Sequence, residues 1–453
     1  MMIQEGLPGI KRFLKPARLP ERVLGLTIRC MAAFIVHWGR MSCVQAAGAV
    51  STAPRHRAQI GRFLARRKGR MRSLLPSLQA QLLALATQAT GRWVFILDQT
   101  LCSQQGDKTE NTYSTGNRQR RPRKGRRYNK YTHRRKRCHC FVMGLLIAPS
   151  GLRLPFRRYY YTKEFCEQKG LPYRKQTHWA AELIRALPLP EGTDVVVLGD
   201  TAFDAQVIRQ ACDERHYSWI VPMNPERVLA GAKPRPQVKS LVPGLMAKQF
   251  QPVRLYPGQG RYVAMRRVSL YRLGPKVKAR TFYVHSESRA VHSVGNVLLV
   301  FSTRTTPQAG PELDVQKILM TNHVALTAAA VVELYDLRWQ IELFFKELKS
   351  TFGFDQYRFR RFDAVEGWVD LTLATFLYLE WQRARQLQRR DLPDRDKDRW
   401  RRQRLHGLCA AMRQATAHAD LAYVAEAVQT KNGIRRLRHK LRNVIQNEYR
   451  LVT

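Results

Sequence analysis

Two runs of apolar residues in this chain each lead into an aspartate. Residues 93–97, Trp-Val-Phe-Ile-Leu, precede Asp98, and residues 195–199, Val-Val-Val-Leu-Gly, precede Asp200. Such runs predict strands covered on both faces, so two buried strands would deliver carboxylates at their C-terminal ends. An aspartate in this position is more commonly a turn residue or a helix cap, which is the alternative interpretation of either one alone.

A third carboxylate lies on a long helix predicted over residues 327–350, with Thr327 as its N-cap. At about 100° per residue, five polar side chains share one stripe: Tyr335, Arg338, Glu342, Lys346 and Lys349. Apolar residues fill the adjoining sector, so the helix should pack on the core and turn this stripe toward a cleft. The alternative is a helix carrying ordinary ion pairs such as Glu342 to Lys346, each worth a few tenths of a kcal/mol.

The chemistry would come from the combination of the three carboxylates. Hard oxygen ligands bind Mg²⁺, and two such ions about 4 Å apart can activate an attacking oxygen and stabilise a leaving one in phosphodiester displacement. The cations Arg338, Lys346 and Lys349 would meanwhile hold the phosphates.

The charge balance of the chain agrees with a polyanionic partner. Its 453 residues contain 79 Lys and Arg against 34 Asp and Glu, a formal charge of +45. Lys and Arg placed on phosphates release counterions and supply affinity without sequence information. With 44% hydrophobic residues the chain can form a core, which excludes a wholly disordered basic tail.

The cysteines and the hydropathy pattern indicate the cellular compartment of the protein. Eight cysteines without a disulfide framework indicate a reducing cytosol. The triplet Cys138-His139-Cys140 lacks the spacing of a zinc site, which favours free thiols. Residues 23–38 are the nearest approach to a membrane segment, but Arg29 interrupts them, so a buried helix of an N-terminal bundle is predicted instead.

The elements that must position these residues predict an α/β fold. Strands are predicted over 140–147, 152–161 and 217–223, and helices over 177–187 and 203–216, which implies a mixed sheet covered by helices. Three β segments over 261–273, 281–285 and 297–302 suggest an inserted β-rich subdomain. The predicted organisation is a helical region at 1–90, a catalytic domain at 91–224 and 326–388, the insertion at 225–325, and a basic helical region at 389–453.

Residues 44–64 outline two short helices, of which the second is basic. The spacing is compatible with a helix-turn-helix that reads DNA, so residues 1–90 are interpreted as a DNA-binding region. An ordinary helical hairpin with a solvated basic face explains the pattern equally well.

The helix motif carries a resemblance to a known family. The spacing Tyr335-x2-Arg338-x3-Glu342-x6-Lys349, inside Tyr-Asp-Leu-Arg-Trp-Gln-Ile-Glu, resembles the signature of the insertion-sequence-four family of bacterial DDE transposases. Asp98 and the Asp200-Thr-Ala-Phe segment are similar to the first two acidic motifs of that family. In order and spacing the resemblance covers about residues 90 to 385.

The resemblance implies a ribonuclease H-like catalytic domain with the triad Asp98, Asp200 and Glu342 as metal ligands for Mg²⁺, or alternatively Mn²⁺. Family members cut double-stranded DNA at transposon ends and join the freed 3′-hydroxyl to a target, commonly through a hairpin intermediate. It further implies a homodimer in a synaptic complex, in the bacterial cytoplasm and associated with the nucleoid. The alternative is a catalytically silent or domesticated relative that binds DNA without cutting it.

One segment departs from the family pattern. Residues 118–137 contain twelve Lys and Arg in twenty positions, soon after the first aspartate. The segment is either a solvated loop or an arm that contacts DNA. The second interpretation assigns phosphate contacts to five cations: Arg118, Arg120, Arg121, Arg123 and Lys124.

Overall fold

The computed structural model describes residues 9–37, 56–65, 73–87, 90–104, 108–115, 136–231, 233–255, 280–307, 315, 317–439 and 441. Three sequence predictions fall wholly or partly outside these ranges. They are the first helix of the possible helix-turn-helix, residues 118–135 of the arginine-rich segment, and the predicted strand at 261–273.

The described strands form one ten-stranded mixed sheet. Their bounds are β1 Trp93–Gln104, β2 Tyr113–Thr115, β3 Lys136–Ile147, β4 Arg153–Tyr159, β5 Val195–Leu198, β6 Ser218–Pro222, β7 Gln251–Leu255, β8 Arg280–Val291, β9 Gly295–Thr303 and β10 Lys317–Thr321. The predicted hairpin between β3 and β4 is confirmed, with Ile147 opposite Arg153 across the turn.

The centre of the sheet has the strand order β4-β3-β1-β5-β6. Strands β1, β5 and β6 are parallel, whereas β3 is antiparallel to both β1 and β4. The parallel strands are buried on both faces, which explains their continuous apolar sequences. This mixed sheet flanked by helices confirms the prediction from the sequence and is consistent with the ribonuclease H-like fold that the resemblance implies.

The strands of the predicted insertion continue the same sheet. Strand β10 pairs antiparallel with β6, and β9, β8 and β7 follow outward in that order. Because β10 runs opposite to β6, its first residue lies at the sheet edge where β5 and β6 end. The insertion therefore extends the edge from which Asp200 emerges, and its predicted boundaries as a subdomain stay a prediction.

Helices cover the sheet and continue into both terminal regions. Their bounds are α1 Ile10–Leu14, α2 Glu21–Val36, α3 His56–Ala65, α4 Leu74–Ala86, α5 Lys163–Lys169, α6 Gln176–Arg185, α7 Gln206–Glu214, α8 Ala328–Asp336, α9 Trp339–Phe352, α10 Phe362–Gln388, α11 Asp394–Arg402 and α12 Leu405–Ala427.

Helix α10 forms the centre of the helical layer. It is buried along most of its length, and α2, α3 and α4 from the N-terminal region pack against it, as does α12 from the C-terminal region. Gly367 allows the closest approach, since a Cβ there would lie 2.7 Å from the carbonyl oxygen of Leu64 in α3. The helices of the terminal regions therefore share a core with the catalytic sheet.

Within the residues that the structure describes, no helix combines the length and apolar character needed to cross a membrane.

Candidate active site

Strand β1 carries Asp98 in its interior. It pairs with β5 over residues 93–96, while its pairing with β3 continues to Gln104 and places Asp98 opposite Met143. The prediction that this strand ends at the aspartate was therefore wrong. Beyond residue 97 its side chains alternate between buried and exposed positions, a pattern typical of a half-covered antiparallel ribbon. Asp98 lies just past the end of the parallel pairing.

Asp200 follows β5 and begins a 3₁₀ turn, Thr201–Phe203. Its Oδ1 accepts a hydrogen bond of 2.9 Å from the Ala202 amide, so the capping role considered from sequence is real. The turn lies tightly against Gly199, where a Cβ would be 2.8 Å from the Cβ of Phe203. The helix predicted from residue 203 instead begins at Gln206, because this turn intervenes.

Asp204 fixes the end of the same turn and was given no role from sequence. Its side chain is only 4% exposed and accepts hydrogen bonds from Arg209 and Arg227, the latter at 2.7 and 2.9 Å. Because Arg227 lies beyond β6, this pair joins the Asp200 turn to the start of the insertion. Only the strand order reveals this proximity.

The predicted helix over residues 327–350 is two helices. The predicted cap is confirmed, since the Thr327 hydroxyl accepts from the Ala330 amide. At the junction of α8 and α9, however, the amides of Leu337 and Arg338 bond three residues back rather than four. A 3₁₀ turn advances by about 120° per residue, so the stripe calculated for a continuous helix is rotated here. The adjoining apolar residues are buried as predicted.

The junction directs Arg338 between two of the predicted catalytic carboxylates. Its Nη2 donates to Oε1 of Glu342, and its Nη1 lies 3.9 Å from Oδ2 of Asp98. The hydroxyl of Tyr335 also interacts with Arg338. Asp200 is near enough to act electrostatically on both Asp98 and Tyr335. The structure thus brings all three acidic residues together with Tyr335 and Arg338, the two motif residues that precede Glu342.

Burial and neighbouring charges shift the pKa values of three groups at this site. Burial, together with the negative charges of Asp200 and Glu342, raises the pKa of Asp98 to about 6 despite the Gln99 amide and Arg338. Burial raises the pKa of Tyr335 to about 12. Burial also opposes the charge on Arg338, but Tyr335, Glu342 and Asp98 outweigh it and hold the pKa of Arg338 above its usual value. The site concentrates negative charge around one arginine.

The donor set suits a divalent cation. Three carboxylates are hard oxygen ligands. Burial is the main reason that the pKa of Asp98 is raised, and the negative charges of Asp200 and Glu342 raise it further; a cation would relieve both effects. Within the described ranges, however, no three His, Cys, Asp or Glu side chains are arranged to hold one ion. Arg338 lies where Asp98 and Glu342 would have to converge.

The other residues predicted to contact DNA lie on α9 or in the arginine-rich segment. Lys349 donates a 3.0 Å hydrogen bond to the carbonyl of Leu101 on β1, which ties α9 to the strand that carries Asp98. Lys346 is exposed. The five basic residues assigned from the arginine-rich segment, Arg118, Arg120, Arg121, Arg123 and Lys124, lie outside the described residues.

Two other clusters are structural. His139 is buried and bonds to the Tyr357 hydroxyl and the Glu110 carbonyl, each at 2.9 Å, and among the described residues the flanking Cys138 and Cys140 form no disulfide. On the far side of α9, Glu347 accepts from Arg153 at 3.2 Å. Arg153 also bonds to Glu380 on α10, so a buried ion network holds α9 on the side away from Glu342.

A ribonuclease H-like sheet with carboxylates from two strands and a following helix defines a class of nucleic-acid enzymes. The family model described as transposase DDE domain matches residues 89–377, which is more than half of the chain. The chain therefore belongs to the transposase DDE domain family, which implies a DNA substrate and the use of divalent metal. No curated protein matches the chain.

Proposed function

We propose that this chain is an active transposase that cuts phosphodiester bonds at the ends of a mobile element and transfers the freed 3′-hydroxyl to target DNA. The observation that carries the proposal is that Asp98 and Glu342 both lie against Arg338, while Asp200 is near enough to act electrostatically on Asp98. The insertion-sequence-four assignment belongs to the same proposal and rests on the helix motif, of which Tyr335 and Arg338 interact at the site and Lys349 anchors the helix.

Asp98, Asp200 and Glu342 would hold Mg²⁺, or Mn²⁺ in its place, and the metal would activate the attacking oxygen and stabilise the leaving one. In the cutting step, oxygen from water forms a bond to phosphorus while the bond to the 3′-oxygen breaks, which leaves a 3′-hydroxyl and a 5′-phosphate. In the transfer step, the oxygen of that hydroxyl forms a bond to a target phosphorus while the bond from this phosphorus to the target 3′-oxygen breaks, and the leaving oxygen takes up the proton that the hydroxyl gives up. Arg338, Tyr335, Lys346 and Lys349 would position the phosphates, because fixed donors stabilise charge that develops during displacement.

The wider assignment follows from the same reaction. Two DNA ends must be brought together, so we propose a homodimer in the synaptic complex, acting in the bacterial cytoplasm on nucleoid DNA. The arginine-rich segment at 118–137 is proposed to add phosphate contacts. Its charge density supports this role.

The deciding experiment is nicking of a supercoiled plasmid that carries the element's ends, in the presence of Mg²⁺. Asp98→Asn, Asp200→Asn and Glu342→Gln should each lower the rate by at least about 1000-fold, since a lost metal ligand costs several kcal/mol. Binding to the ends should change by less than about threefold, because most of the basic surface remains. Asp213→Asn, which removes an exposed carboxylate from α7, is the matched control and should retain the rate.

A second candidate function is DNA binding without cutting. It is favoured by one observation, namely that the described acidic side chains form no group of three able to hold an ion. A wild-type chain that binds the ends but does not nick them with either Mg²⁺ or Mn²⁺ would establish it in place of the enzyme. Near wild-type nicking by any one of the three carboxylate variants would remove that residue from the site.

A further inference from the structure

A lysine begins β10, the inserted strand that pairs with β6 next to the candidate site. Lys317 opens β10, and β10 is antiparallel to β6 with Leu319 opposite Pro222. In the neighbouring pair, Leu198 of β5 lies opposite Ile220 of β6. The two registers place Lys317 at the same edge of the sheet as Asp200, although 117 positions separate them in sequence.

A second cation lies beside it. Arg304 follows β9, whose Ser302 is paired with Lys317, so Arg304 emerges at the same edge one strand farther out. Each of these cations lies over an aromatic ring. Lys317 Nζ is 5.0 Å from the centre of the Tyr335 ring, and the Arg304 guanidinium is 5.3 Å from the centre of the Phe282 ring.

The Tyr335 ring connects this pair to the catalytic cluster, because Tyr335 also interacts with Arg338. The charges confirm the proximity. Burial lowers the pKa of Lys317, and the positive charges of Arg338 and Arg304 lower it further. Glu342 opposes this effect and already pairs with Arg338, so Lys317 and Arg304 are the two cations whose repulsion an anion between them would relieve. The site thus has an acidic half and a basic half, as a metal-bound phosphodiester requires.

We propose that Lys317 and Arg304 form a phosphate-binding site for the DNA backbone next to the bond that is cut, contributed by the strands inserted between the second and third carboxylates. The inference rests on the proposed function for its ligand, a phosphodiester. Lys317 can donate to a phosphate while its ammonium stays over the Tyr335 ring, and the planar guanidinium of Arg304 suits bidentate contact with phosphate oxygens.

The test uses the full chain in EDTA, so that no DNA is cut. Anisotropy of a labelled 30-base-pair duplex of arbitrary sequence is titrated at several KCl concentrations. Lys317→Met keeps the length of the stem but removes the charge, and Arg304→Gln removes the second cation. Each should make the slope of log K against log salt shallower by about 0.9, and the double variant by about 1.8. Lys317→Arg should restore the wild-type slope.

Lys248→Gln is the matched control. It removes one charge from an exposed position that precedes β7, three strands from β10 or about 14 Å at the usual strand spacing. Its slope should equal that of wild type. If Lys317→Met and Arg304→Gln also keep the wild-type slope while their thermal melting is unchanged, the phosphate site is refuted.

Failure of the inference is distinguishable from failure of the proposed function. Unchanged slopes in a chain that nicks plasmid would refute the phosphate site alone. Shallower slopes in a chain that binds DNA without nicking would keep the phosphate site and refute the catalysis.

Discussion

Helix α9 carries two glutamates five residues apart that meet arginines in opposite surroundings. Glu342 contacts Arg338 at the candidate site, and a third of its side chain is exposed. Glu347 contacts Arg153 in the interior, with 11% of its side chain exposed, and also accepts from the Leu405 amide. The same pairing of residue types thus lies in the partly exposed cluster of the candidate site on one side of the helix and in a buried anchor on the other.

In the buried anchor, the Glu380 carboxylate bonds to the side chains of both Arg153 and Arg383. Glu380 accepts from the Arg153 side chain at 2.9 and 3.2 Å and from its amide at 3.3 Å, while Arg383 adds a further contact at 2.9 Å. Around Glu342, in contrast, one arginine serves two carboxylates, and burial together with the charges of Asp200 and Glu342 raises the pKa of Asp98. Charges that satisfy one another hold a fold together, whereas charges left in excess attract a ligand.

The largest expected effect on stability comes from removing the Glu380 carboxylate from the buried anchor. Glu380→Ala leaves Arg153 and Arg383 buried with too few partners, which should lower the free energy of unfolding by about 3–5 kcal/mol. The measurement is urea unfolding followed by the fluorescence of the chain's eight tryptophans, of which Trp368 lies on the same helix. Glu342→Gln is the control and should change stability by less than about 1 kcal/mol, because its ion pair is partly exposed. Equal losses in the two variants would remove the distinction between the regions.

Acid should weaken the anchor in a defined direction. Burial opposes ionisation of Glu380, but Arg383 and Arg153 outweigh it and hold its pKa below the usual value. A carboxylate of this kind contributes stability that is complete above its unfolded pKa of about 4.3 and is lost as pH falls further. The stability difference between wild type and Glu380→Gln should therefore be constant from pH 7 to about 5 and shrink below that. A difference that grew in acid would contradict the assignment.

The sequence predicted the acidic residues better than their surroundings. Apolar runs identified β1 and β5, and the spacing on the helix identified Glu342, because these signals are local. The relation of Lys317 to Asp200 depends on the pairing of β10 with β6, which no local pattern encodes. The break before α9 was also missed, since Leu337 and Arg338 are ordinary helix residues and only the hydrogen bonds reveal the tighter turn.

A smaller effect is expected from substituting Arg338, which should raise the affinity for Mn²⁺ but lower the rate of plasmid nicking. Arg338→Ala removes the cation that lies between Asp98 and Glu342, so the affinity for Mn²⁺ without DNA should rise about tenfold, or about 1.4 kcal/mol. Plasmid nicking should nevertheless slow, because a phosphate donor is lost. Calorimetric titration with Mn²⁺ measures the first quantity. Arg338→Lys should leave metal affinity near wild type, and a weaker Mn²⁺ complex in Arg338→Ala would show that the arginine organises the carboxylates rather than occupying their space.

The smallest expected effect concerns Lys349, which both helps to hold α9 in place and is predicted to contact phosphate. Its ammonium donates to the Leu101 carbonyl and so fastens α9 to β1 three residues beyond Asp98. Lys349→Ala should lower the free energy of unfolding by about 1 kcal/mol, the usual net value of one such hydrogen bond. Lys346→Ala, three residues earlier and exposed on the same helix, should cost less than about 0.5 kcal/mol. An ammonium has three donors, so Lys349 retains two for a phosphate while it holds the helix. If both variants were equally stable, the bond to Leu101 would contribute nothing measurable, and the role of Lys349 would reduce to the phosphate contact that the sequence predicts.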